Sequence, residues 1–155
     1  MKSIIYTLLL FIAAIPAATA QTRDCVNTPI RENFNVLHYD LDISFDTLNN
    51  TLSGIVKIKA DLVKDPAVPF QIDLQEPLVI NKVVYGNLEL ELKKEKDKYF
   101  VQVPDLVEGE TFVLAVHYSG VPKAAANAPW DGGMVRTKDK RGKVWWAAEI
   151  GRAHV

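Results

Sequence analysis

An all-β fold, an antiparallel sandwich or saddle-like sheet, is predicted by three features of this chain. Residues 38–45 alternate polar and apolar without a fault, strand-length apolar runs are separated by turn residues at short intervals, and almost nothing between them reads as helix. No heptad, internal repeat or long low-complexity tract interrupts the pattern.

Side chains of a strand point to opposite faces in turn, so Tyr39, Leu41, Ile43 and Phe45 are expected to share one buried face. Asp46, Thr47, Leu48, Asn49 and Asn50 follow as turn chemistry, with short polar side chains that bond their own backbone. Residues 51–60 return as a second strand with Leu52, Gly54, Val56, Ile58 and Ala60 on one face. Lys57 and Lys59 lie on the other, and the pair reads as an antiparallel hairpin. Gly54, a glycine in the apolar series, marks either a bulge or a close crossing by another segment.

Residues 70–74 alternate again behind Pro66 and Pro69, which suits an edge or a strand start. Residues 78–85 are mostly apolar and β-branched and are closed by Gly86-Asn87. Residues 88–92 have strand period, although their composition also allows a short helix. A charged tip is expected over 93–98, and residues 99–103 return from it. The run 112–118 is the last clear strand, with Phe112, Leu114, Val116 and Tyr118 facing inward. Residues 122–129 lose the alternation and read as a loop. Trp130, Asp131, Gly132 and Gly133 then form a tight turn in which glycine supplies positive φ. A final hairpin runs out over 134–136, turns near Gly142 and returns over 144–146. Its basic stretch 138–143 contains Asp139 and reads as a solvated tip.

The amino terminus reads as an address. Lys2 precedes an apolar run over 4–15, Pro16 breaks it, and Ala18-Thr19-Ala20 offers small residues for cleavage before Gln21. A membrane span needs about 20 apolar residues, so residues 1–20 are predicted to be a secretory signal. The protein is then expected to be secreted or periplasmic, with no membrane span once the signal is removed. Arg23 and Asp24 argue against a lipid anchor on Cys25. What remains is 135 residues carrying 17 basic and 19 acidic side chains, a net charge of −2. That length supports one domain with a core. The near-neutral balance provides no electrostatic reason to expect nucleic acid as a partner. Cys25 is the one cysteine, so no internal disulfide forms and packing must hold the fold.

A search for reactive groups finds none. The three histidines, His38, His117 and His154, are followed by Tyr39, Tyr118 and Val155, so none begins the His-Glu-x-x-His pattern of a zinc peptidase. His38 and His117 fall on polar strand faces and read as solvated. There is no Gly-x-Ser-x-Gly elbow, and Gly132-Gly133 is not followed by a phosphate-binding Lys-Ser/Thr. Asp40/Asp42 and Glu89/Glu91 follow strand period and line wet faces. Trp130, Trp145 and Trp146 suit core packing under the last hairpin, with a sugar- or peptide-stacking platform as the alternative. No catalytic, cofactor-binding or metal residue is assigned.

Taken in order, several of these segments resemble one family. The hairpin over 38–46 and 52–58 is similar to the opening hairpin of the aminopeptidase N-like zinc peptidases, the gluzincins. Residues 70–74 and 78–84 resemble their next strand pair. Tyr118-Ser119-Gly120, then Pro129-Trp130-Asp131-Gly132-Gly133, then Gly142-Lys143-Val144-Trp145 resembles the end of their N-terminal β domain. The likeness covers residues 36–148. It implies a non-catalytic N-terminal domain of a secreted zinc aminopeptidase that removes N-terminal residues from peptides. Zinc and the peptide substrate would then belong to the full-length protein, and the missing catalytic domain would be this domain's partner. Glu149 does not match the family's substrate-lining position and is not assigned. The resulting division is a signal peptide over 1–20, a leader over 21–35, the β domain over 36–148 and a non-native tail over 149–155, with the gene truncated. The chain is therefore expected to be inactive alone. The alternative reading is a stand-alone secreted β-sandwich module that binds peptide or glycan.

Overall fold

The computed structural model describes residues 28–127 and 132–149, so the predicted signal over 1–20, Cys25, Trp130 and His154 lie outside the described residues. The described residues form ten strands and one short helix: α1 (Pro29–Glu32), β1 (Phe34–Asp46), β2 (Thr51–Leu62), β3 (Phe70–Asp73), β4 (Val79–Tyr85), β5 (Leu88–Leu90), β6 (Leu92–Glu95), β7 (Lys98–Val101), β8 (Thr111–Gly120), β9 (Gly133–Lys138) and β10 (Val144–Glu149). They form a five-stranded sheet in the order β1-β2-β8-β4-β5, a three-stranded sheet β3-β7-β6, and a separate hairpin β9-β10. All strand pairs are antiparallel, as expected for an all-β fold.

The first hairpin forms as its alternation dictates. Tyr39 stands opposite Ile58, Leu41 opposite Val56 and Phe45 opposite Leu52. Asp46 closes the turn: one carboxylate oxygen accepts the backbone N–H groups of Leu48 and Asn49 at 2.9 and 3.0 Å, and the other accepts the Asn49 side-chain amide. These three donors, the Asn49 backbone first, hold the Asp46 carboxyl below its ordinary value. Gly54 is not a bulge, because the β1–β2 register slips between Val36 and His38 instead. It is a close crossing. A Cβ on Gly54 would stand 3.0 Å from the Tyr118 hydroxyl and nearer still to the Asp42 carbonyl.

The two sheets pack face to face. From the large sheet come Ile58, Ala60, Leu62, Ile80, Val83, Phe112, Leu114 and Val116, and from the small one Phe70, Ile72, Tyr99 and Val101. Phe34, Phe70 and Phe112 meet edge to face, with centroids 4.9, 5.9 and 5.7 Å apart, and join β1, β3 and β8. The inward alternation of residues 112–118 is realised as read, and Leu114 is wholly buried. Ahead of β1, Asn33 is 2% exposed and binds both backbone groups of Asp65 at 2.8 Å. The packed fold thus begins before residue 36.

Three expectations are corrected. Residues 88–92 are not one strand. Leu88–Leu90 pairs with β4 and Leu92–Glu95 pairs with β7, so the chain changes sheets at Glu91. That shortens the charged tip to Lys96 and Asp97, and Lys96 takes positive φ there. Trp145 and Trp146 do not pack a core: Trp145 is 50% exposed, and Trp146 is half-buried with the Arg136 guanidinium 5.7 Å above its ring.

The third correction is the largest. Tyr39, Leu41, Ile43 and Phe45 do share a face, but they are 54, 59, 44 and 56% exposed. Alternation places side chains on one side and cannot supply a layer to cover them. At roughly 3.4 Å per residue, β1 runs about 44 Å, whereas four-residue β3 and β7 span about 14 Å. The small sheet therefore covers the Phe34 end and leaves the Phe45 end open.

Candidate functional site

Two surfaces of the large sheet are concave enough to receive a ligand or a neighbouring segment, and they have opposite chemistry. On the polar face lies an open hollow of about 490 Å³ lined by Asp42, Ser53, Lys82, Glu89, His117 and Ser119, among others. Strand period puts Asp42 and His117 there, and the register slip between Ile80 and Lys82 adds Asn81, whose amide oxygen accepts the Ser119 hydroxyl at 2.9 Å. Tyr118 borders the hollow. Burial first, then the nearby Asp42 charge, pushes its phenol above its ordinary value.

Among the described residues no group of three or more His, Cys, Asp or Glu side chains gathers to hold a metal. The strand register explains why. His38 pairs with Lys59, which pairs with Val113, four positions from His117 along β8. The two imidazoles thus stand about 14 Å apart along the strand direction. Zinc does not fit the described residues. Asp40 and Asp42 line the wet face as read, with Asp40 3.8 Å from the Lys57 ammonium. Asp139 accepts the backbone N–H groups of Arg141 and Lys143, making 138–143 the solvated tip its composition indicated.

The apolar face carries the second concavity, a groove of about 630 Å³. Tyr39, Leu41, Leu52 and Val56 form its floor on the open half of the hairpin, and Phe70, Ile72 and Leu74 form the wall where the small sheet stops. An ion pair between Arg31 and Asp73 sits at the rim. Several lining residues, Ile58, Phe70, Ile72, Ile80 and Val116, also belong to the core, so the groove is the core's uncovered continuation. Sequence reading missed it because an apolar face looks the same whether or not a second layer reaches it.

Among the described residues no helix is long and apolar enough to cross a membrane. No protein-family model matches the chain, and no curated protein sequence matches it. Solved structures do. An M1 zinc metallopeptidase from Deinococcus radiodurans superposes with a TM-score of 0.53 at 22% identity, over 72% of this chain and 28% of that one. Yeast LTA4 hydrolase in complex with bestatin superposes with a TM-score of 0.56 at 15% identity, over 81% of this chain and 20% of that one. Native leukotriene A4 hydrolase from Saccharomyces cerevisiae gives 0.55 at 16% identity. The chain thus has a fold that makes up part of each of these enzymes. It spans less than a third of each of those enzymes.

Proposed function

We propose that this chain is the N-terminal, non-catalytic β domain of a secreted zinc aminopeptidase that removes N-terminal residues from peptides. The carrying observation is the shared fold: most of this chain superposes on a minor part of each M1 metallopeptidase-like enzyme. On this reading zinc and its hydrolytic chemistry belong to further polypeptide, and one feature of the chain supports the reading. The open half of the β1–β2 face suits a domain built against more protein. The segment 1–20 directs the product outside the cytoplasm.

The test compares this chain with the complete reading frame of its gene, each loaded with zinc and assayed on aminoacyl chromogenic substrates. The expected result is amino-acid release by the complete product and none by residues 21–149 alone. A complete frame that encodes no zinc-binding helix, or release by the β domain alone, overturns the proposal.

A further inference from the structure

The apolar groove is continuous with the core yet open, and its occupant is constrained by shape and charge. Its floor extends the floor of the interior itself, since Val56 and Ile58 are neighbours on the same face of β2. A second copy of this chain fits poorly by either route. Packed face to face about a two-fold axis, groove meets groove, and two concave surfaces leave a void where contact is needed. Paired edge to edge through β1, the central registers set acids against acids. Symmetry about Leu41 places Asp40 opposite Asp42, and symmetry about Asp42 places Asp42 opposite itself. Like charges directly opposite destabilise a strand pair.

A convex apolar segment that continues the second layer meets both constraints, and the enzymes sharing this fold carry far more chain than the part superposed here. We propose that, in the whole enzyme, an apolar segment of the same polypeptide from beyond β10 packs into this groove. It covers Tyr39, Leu41 and Phe45 and completes the layer that β3 and β7 begin. This rests on reading the chain as one domain of a larger enzyme. The groove is then an internal docking surface, and the β domain is finished only when the rest of the polypeptide folds onto it.

Cysteine accessibility tests this. In a Cys25→Ser background, Leu41→Cys on the apolar face and Ser44→Cys on the polar face are labelled with a maleimide, and each site is read by peptide mass mapping. Phe45→Cys serves as a second apolar-face site if Leu41→Cys does not fold. The expected result is comparable labelling of both faces in the 155-residue chain. In the complete, active enzyme, labelling at the apolar face should fall at least about tenfold while Ser44→Cys labels as before. Undiminished labelling at 41 or 45 in an enzyme that still releases amino acids overturns the inference and leaves the proposed function standing. Protection in a complete polypeptide with no peptidase activity supports the docking surface and defeats the function. Protection already present in the short chain, with a dimer's mass on gel filtration, identifies a second copy as the occupant and overturns the inference.

Discussion

Phe112 and Phe45 occupy the same face of the large sheet, and replacing each by alanine measures how far the second layer extends. Phe112 is 3% exposed and its ring meets Phe34 and Phe70 edge to face. Truncating it removes the transfer energy of a buried aromatic side chain and opens a cavity between the two sheets, a combined cost of about 3–5 kcal/mol. Phe45 is 56% exposed and has no layer above it. Burying a phenylalanine completely contributes about 1.5–3 kcal/mol, so its partial burial accounts for roughly 1 kcal/mol, with no cavity to add. The difference between the variants is then about 2–4 kcal/mol. Urea unfolding followed by far-ultraviolet circular dichroism resolves it. With a slope near ~1.5 kcal/mol per molar, Phe112→Ala lowers the midpoint by about 2–3 M and Phe45→Ala by less than about 1 M. Equal losses would show that the face is covered along its whole length in the isolated chain, and the account of the small sheet's reach would be wrong.

Gly54→Val is expected to destabilise by about 1–3 kcal/mol, because its side chain must displace the Asp42 backbone or the Tyr118 hydroxyl; unchanged stability in urea would refute the close crossing. Asn33→Ala removes both hydrogen bonds to Asp65 from a buried position, for a loss of about 1–3 kcal/mol, checked by the same unfolding assay. The Asp46 carboxyl is lowered in the fold, so its contribution is present above the unfolded value of 3.8 and is lost as pH falls through the folded value. Carbon-detected titration should place its midpoint below 3.8, and Asp46→Asn should abolish that acid-side weakening of the turn; a midpoint at or above 3.8 would contradict the hydrogen-bonded turn.

Period and turn chemistry made most of the strand pattern legible. The hairpin over 38–60 rests on fault-free alternation and an Asp-led turn, and both are local properties that hold wherever the strands finally pack. The same holds for the inward set Phe112, Leu114, Val116 and Tyr118 and for the basic tip around Asp139. The division of residues 88–95 between two sheets was not legible. Which strand a segment joins depends on partners distant in sequence, and Leu90 and Leu92 fit either one.

The order of residues alone determined that this protein is built from antiparallel strands and that His38 and His117 fall on polar faces, because both follow from the two-residue repeat of a strand. Only the tertiary structure decided which apolar face becomes interior. Burial requires a second layer within reach, and the small sheet's four-residue strands β3 and β7 end long before the large one does. Tyr39, Leu41, Ile43 and Phe45 therefore alternate like core residues and stand open like a docking surface.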